Sequence, residues 1–211
     1  MGKFTLELEK TIQVVLKKNI TESRKKILKI LIEYVLEKLK NNQEVNLNFI
    51  CTHNSRRSQF CQIWSYAASH YFDIPIKCYS GGTEITECNI RTVNSIKLNG
   101  FLVSSENKNK TLHYLISAGN NISPIKVYSK LFNESINKSI PYAAIMTCSD
   151  ANKNCPFIPG AEKRISLPFE DPKEFDDTSK ETKKYKECSL IIASEIFYVF
   201  NGVHKSLNPY K

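Results

Sequence analysis

Val45-Asn46-Leu47-Asn48-Phe49-Ile50-Cys51-Thr52-His53-Asn54-Ser55-Arg56-Arg57-Ser58 is the stretch that decides the fold. An apolar run from Val45 to Ile50 reads as a short strand and passes directly into a polar turn. Ser58 to Tyr71 then shows helical spacing of Phe60, Ile63, Trp64 and Ala67. Working outward, Ile74 to Tyr79 is a second strand that ends at Ser80-Gly81-Gly82-Thr83. A helix follows at about 89–99, closed by Gly100 in the place a helix C-terminus prefers. Tyr142 to Thr147 reads as a third strand, Arg164 to Leu167 as a fourth, and Glu181 to Phe200 as a terminal helix. Strands that alternate with helices imply a parallel sheet covered on both faces, an α/β domain. The polar, Asn- and Lys-rich stretch from Ser104 to Ile140 shows no clear period.

Upstream, the first forty or so residues read as two helices. Leu8, Ile12, Val15 and Leu16 mark the stripe of one. Asn19 or Thr21 caps the second, whose inner face carries Ile27, Leu28, Leu31, Ile32, Val35, Leu36 and Leu39. Arg24, Lys25, Lys26, Lys29 and Lys38 lie on its other side and read as a solvated face. The expected division is an N-terminal helical extension, 1–43, ahead of an α/β domain, 44–211.

Composition narrows the function classes. With 41% hydrophobic and 24% charged residues over 211 positions, the chain is ordinary globular sequence, and collagen, long disorder and simple coiled coil are excluded. No apolar run approaches a membrane span, and charges break every apolar stretch near the N-terminus, so no membrane partner and a cytoplasmic location are expected. The net charge of +9 comes without aromatic residues interleaved among the basic ones, so nucleic acid is not an expected partner. Seven cysteines, an odd number, argue against an exported disulfide framework and for reduced thiols. Neither C-x2-C spacing nor histidines at ligand spacing accompany them, so no metal site and no cofactor are expected.

In a parallel sheet, ligands sit beyond the carboxyl ends of the strands. Cys51, Cys148 and Asp171 each follow a strand, so the topology gathers them at one edge. Five residues separate Cys51 from Arg57, enough for Thr52, His53, Asn54, Ser55 and Arg56 to wrap a tetrahedral anion with backbone N–H groups turned inward at a helix N-terminus. Arg57 can grip two oxygens of that anion. Asn54 tolerates the left-handed backbone such a loop needs, and Ser58 is placed to support the Cys51 thiolate. The positive field that holds the anion also favours thiolate over thiol, so the loop prepares its own nucleophile.

ICTHNSRRSQ, YSGGTE with Asn89 and Arg91 after it, MTCSDANKNCP and FEDP resemble the successive motifs of the low-molecular-weight protein tyrosine phosphatase superfamily, and especially its thioredoxin-coupled arsenate reductases. The likeness runs from about Val45 to Phe200. It implies a four-stranded parallel sheet flanked by helices, Cys51 as nucleophile, Arg57 as oxyanion ligand, and Asp171 as the acid that protonates the leaving oxygen. Cys148 and Cys155 match the family's redox pair. The resemblance therefore implies that Cys51 attacks arsenate, that Cys148 attacks the Cys51–arsenic adduct and releases arsenite, and that Cys155 captures Cys148 in a disulfide that thioredoxin or a similar thiol reductant opens. Such a cycle serves arsenical resistance.

Two other readings stay open. The same loop and acid serve a phosphatase that hydrolyses phosphomonoesters through a phosphocysteine and needs no second thiol. A non-catalytic module would bind a partner through its basic helices and only sense an oxyanion. The chain also departs from its relatives: Arg56 stands where they commonly carry another cysteine, His53 replaces a glycine, Gln62 replaces the glutamate of potassium-binding reductases, and Lys173 replaces an aromatic residue of tyrosine-directed phosphatases. Cys61, Cys78 and Cys188 read as core residues and Cys88 as loop surface.

Overall fold

The computed structural model describes residues 3–108, 111–134, 136, 140–154 and 157–209. The N-terminal hairpin comprises α1 (Leu6–Leu16) and α2 (Glu22–Lys40), each opened by a threonine. Thr5 Oγ1 accepts from Leu8 N at 3.1 Å, and Thr21 Oγ1 from Arg24 N at 3.4 Å, so Thr21 rather than Asn19 caps α2. Leu8, Ile12, Val15, Leu28, Leu31 and Val35 are buried, as their spacing predicts.

Four parallel strands, β1 (Val45–Cys51), β2 (Ile76–Gly82), β6 (Tyr142–Met146) and β7 (Ala161–Ser166), form a sheet in the order β2-β1-β6-β7. Every residue of β1 is buried, which explains a run that does not alternate. The pleat still divides its side chains between two cores. Val45, Leu47 and Phe49 join Ala143 and Ile145 on one face, together with α3 (Arg57–Phe72), α4 (Ile90–Leu98), α6 (Glu181–Leu207) and the N-terminal hairpin. Ile50 joins Tyr142, Ala144 and Met146 on the other, beneath α5 (Ser149–Asn154) and the flanking Ile136 and Ile158, and Cys51, the last residue of the strand, belongs to the same cluster. The hairpin thus shares one continuous core with the sheet. No helix among the described residues is long and apolar enough to cross a membrane.

Part of the stretch that showed no period forms a second sheet. β3 (Leu102–Lys108), β4 (Thr111–Ser117) and β5 (Ile125–Val127) pair antiparallel in that order. Its apolar contribution is sparse, with Tyr114, Ile116 and Val127 buried among exposed polar residues, so its pattern is diluted in the sequence. After β5 the chain returns to the main sheet. Gly82 N donates to Lys130 O at 2.8 Å and Phe132 N to Gly82 O at 2.9 Å. A Cβ on Gly81 would stand 2.2 Å from the Phe132 backbone, which is why a glycine pair ends β2.

Candidate active site

The loop between β1 and α3 is shaped from outside. Cys51 O accepts from Thr83 N, and Thr52 O accepts from Glu84 N and Thr83 Oγ1. His53 O accepts from Ser129 Oγ and Thr86 Oγ1 at 2.9 and 3.1 Å. Ser55 O accepts from Asn89 N and Thr92 Oγ1, both at 3.2 Å. Each of these carbonyls points out of the loop, and in a planar trans peptide the next N–H points the opposite way, toward the centre. The cradle of inward amides is therefore a consequence of polar residues on the β2–α4 and β5–β6 connections.

Asn54 is the keystone. It sits at φ 47°, a left-handed conformation that asparagine adopts more readily than most residues. Its Nδ2 donates to Ser58 Oγ at 2.8 Å, its Oδ1 accepts from Lys130 N at 3.1 Å, and its O accepts from Gln59 Nε2 at 2.8 Å. Because Ser58 Oγ already accepts from Asn54, its proton is free for Cys51 Sγ, 3.1 Å away. Cys51 is buried at the mouth of the loop, where α3 begins with no side-chain cap from Arg56 and presents its positive end.

Both arginines meet Asp171. Arg57 Nη2 lies 2.6 Å from Asp171 Oδ2, Arg56 Nε lies 2.9 Å from Oδ1, and Arg57 Nη1 donates to Phe169 O at 3.0 Å. Burial works against the Arg56 cation, but the charge and hydrogen bond of Asp171 outweigh it and hold the guanidinium above its ordinary pKa. Asp171 also accepts from Lys173 N at 3.1 Å and so caps a 3₁₀ turn, Pro172–Phe175. One carboxylate thus does two things that the sequence offers as alternatives, capping a turn and facing the loop. Cys51, His53, Ser55, Arg56, Arg57 and Asp171 enclose a cavity of about 10 Å³, the space of a single small group.

Cys148 lies at the same edge. It follows β6 and is buried, and its Sγ is 3.6 Å from Thr52 Oγ1. The first turn of α5 caps that sulfur through Ala151 N at 3.3 Å. The fold therefore brings Cys51, Thr52, Arg56, Arg57, Asp171 and Cys148 together, while Cys155 lies outside the described residues. The six described cysteines are all free. Burial pushes the thiols of Cys78, Cys88 and Cys188 up to about 12 and that of Cys61 well above its ordinary value, so all four stay protonated. Cys88 is buried in the main core, not on a loop surface as its polar neighbours suggest.

Several contributors carry no motif. Gln59 bridges Asn54 O and Tyr128 O, and its Oε1 accepts from Ser80. Gln62 accepts from the same hydroxyl at 2.6 Å, which commits its oxygen internally. Ser129 and Lys130 reach the loop only through the second-sheet insertion. The Gly81-Gly82 pair was the one sequence signal that something approaches there.

No protein-family model matches the chain. A protein named arsenate reductase 2 from Staphylococcus epidermidis is 28% identical over 124 residues, covering 59% of this chain and 76% of that one. Arsenate reductase 2 from Staphylococcus haemolyticus is 27% identical over the same shares. Over that span the chain is similar in sequence to proteins named arsenate reductase. Among solved structures, the low-molecular-weight protein tyrosine phosphatase from T. tengcongensis overlays with a TM-score of 0.49 at 15% identity, over 77% of this chain and 99% of that one.

Proposed function

We propose that this chain reduces arsenate to arsenite with thiols, using Cys51 as nucleophile. The observation that carries the reading is the second sulfur: Cys148 Sγ stands 3.6 Å from Thr52, the residue next to Cys51. Hydrolysis of a phosphocysteine needs only the loop, an acid and water, whereas reduction needs a thiol beside the first.

In the proposed cycle, arsenate enters the cradle and takes the Arg57 fork, which releases Asp171 toward the oxygen that will leave. Cys51 thiolate attacks arsenic, an As–O bond breaks, and Asp171 supplies a proton so that water departs. Cys148 thiolate then attacks Cys51 sulfur. The S–As bond breaks with its electron pair going to arsenic, which leaves as arsenite, and the two sulfurs are left as a disulfide. Cys155 attacks Cys148, Cys51 returns as thiolate, and thioredoxin or a similar dithiol reduces the Cys148–Cys155 bond. Thr52, His53, Asn54, Ser55 and Arg56 hold the oxyanion and Ser58 supports the thiolate. A cytoplasm that keeps dithiols reduced is the matching compartment.

The test is arsenite production with thioredoxin, thioredoxin reductase and NADPH. Wild type turns over repeatedly, and Cys148→Ser and Cys155→Ser each stop it after at most one cycle. Full multiple turnover in both variants overturns the reading. Brisk aryl phosphate hydrolysis that needs Cys51 and Asp171 but not Cys148 or Cys155, without arsenite, would instead establish the phosphatase.

A further inference from the structure

Arg24 leaves the solvated face that the basic side of α2 predicts. Its Nε and Nη2 donate to the two oxygens of Glu195 on α6 at 2.8 and 2.6 Å, and its Nη1 donates to Pro168 O at 3.1 Å. Its Cζ stands 5.1 Å from the centre of the Phe169 ring. Glu195 is only 5% exposed and Arg24 is half-buried, so the pair is a planar, bidentate contact in which a fork is held in one orientation.

The segment that Arg24 touches leads into the active site. Leu167 N and Phe169 N donate to Met146 O and Thr147 O at the end of β6. Phe169 O receives Arg57, and Asp171 receives both Arg56 and Arg57. The segment borders a cavity of about 510 Å³, whose walls include Arg24, Phe169, Asp171, Pro172, Phe175 and Cys188. Leu167 and Phe169 are packed in the main core, and the guanidinium bridge from the extension adds a polar tie to the backbone between them at Pro168.

We propose that Arg24, oriented by Glu195, is a positioning residue: it fixes Pro168 and Phe169 so that Asp171, two residues on, is held beside Arg57 and Cys51. The inference rests on the reading that Cys51, Arg57 and Asp171 form the reacting centre. It gives the N-terminal helices a role in the chemistry, although they contribute no group that touches substrate.

The experiment uses the full chain and compares wild type, Arg24→Met, Asp171→Asn and the double variant in arsenate turnover and aryl phosphate hydrolysis, with active molecules counted by alkylation of Cys51. Misplacing a reacting group by about 1 Å can cost roughly 10²-fold, so Arg24→Met is expected to lower kcat per active molecule by about that factor with a smaller change in KM. In the Asp171→Asn background the same substitution is expected to cost less than about threefold, because no acid remains to be misplaced. Glu195→Gln, which keeps the shape of the pair, is expected to show a smaller loss with the same KM pattern, and it serves if Arg24→Met does not fold. A purely stabilising contact would lower the melting temperature while leaving kcat per active molecule unchanged, or would give equal losses in both backgrounds; either result overturns the proposal. Loss of all activity in Cys51→Ser with full kcat in Arg24→Met removes this inference alone. Activity that survives in Cys51→Ser removes the parent reading.

Discussion

The two sulfurs at the sheet edge sit in opposite surroundings. Around Cys51, carbonyls of Cys51, Thr52, His53 and Ser55 are tied outward, and Asn54 spends both ends of its side chain on the loop. Cys148 instead opens α5, a helix of 6 residues. Arg164 Nη2 holds this helix through Asn152 O, while buried Arg164 Nε and Asn152 Oδ1 find no partner among the described residues. Cys51, the proposed nucleophile, stands in a loop whose carbonyls and Asn54 side chain are tied, and Cys148 on a short element with unpaired buried polar atoms among the described residues. A cysteine that must meet an anion at a set distance needs the first setting, and one that must carry a disulfide from one partner to the next needs the second.

The largest effect that can break this contrast comes from its rigid half. Cys51→Ser is expected to reduce arsenate turnover and aryl phosphate hydrolysis to background, a loss of roughly 10⁶-fold if it follows other nucleophile deletions. Retained turnover in either assay would show that the cradle does not house the nucleophile.

Asn54→Ala comes next. It removes the Ser58 and Lys130 contacts and places an alanine at φ 47°. Strain in that region and the orphaned buried partners together cost about 2–4 kcal/mol of stability by urea denaturation. Turnover should fall about 10²-fold, because the loop amides lose their shape. Asn54→Gly relieves the strain but not the lost bonds, so it should recover stability more than turnover. Equal recovery of both would mean that backbone conformation alone shapes the loop.

On the other side, Arg164→Met frees α5. It is expected to change arsenate turnover severalfold and leave aryl phosphate hydrolysis within about twofold, since only the reductase cycle uses the Cys148 segment. Parallel losses in both assays would erase the distinction between the two regions.

The smallest effect is electrostatic. Lys130 is buried beneath the loop, its Nζ 4.5 Å from the Tyr128 ring centre, and burial lowers its pKa to about 8. The folded value lies below the unfolded one, so the unfolded chain binds more protons between about pH 8 and pH 10, and stability rises with pH across that window. Lys130→Met is therefore expected to stabilise the fold by up to about 3 kcal/mol at pH 7, an advantage that shrinks as pH rises from about 8 and is lost above about pH 10.5. A pH-independent difference in urea midpoint would remove the buried charge from the account.

The cradle was more legible than its supports for a physical reason. Val45 to Ser58 carries its information in consecutive residues, because a strand, an anion loop and a helix start follow one another in the chain. The supports arrive from far away: Ser129 and Lys130 through an insertion whose few buried residues dilute its period, and Arg24 from a helix outside the α/β pattern. Charge on an otherwise solvated helix side gives no sign that Glu195 lies opposite, since that meeting depends on how α2 crosses α6. Cys88 was misread for a related reason, because local polarity reports its chain neighbours and not the main core that its side chain enters. The chain order of Cys148 and Asp171 after successive strands did carry spatial meaning, through the rule that parallel strands deliver their carboxyl ends to one edge.

The central claim is that Cys148 resolves Cys51. It is tested most directly by treating Cys155→Ser with one equivalent of arsenate in the absence of reductant and mapping its disulfides by mass spectrometry. The account predicts one equivalent of arsenite and a Cys51–Cys148 bond. Arsenite release with Cys148 still a free thiol, or with Cys51 joined to another cysteine, would contradict it.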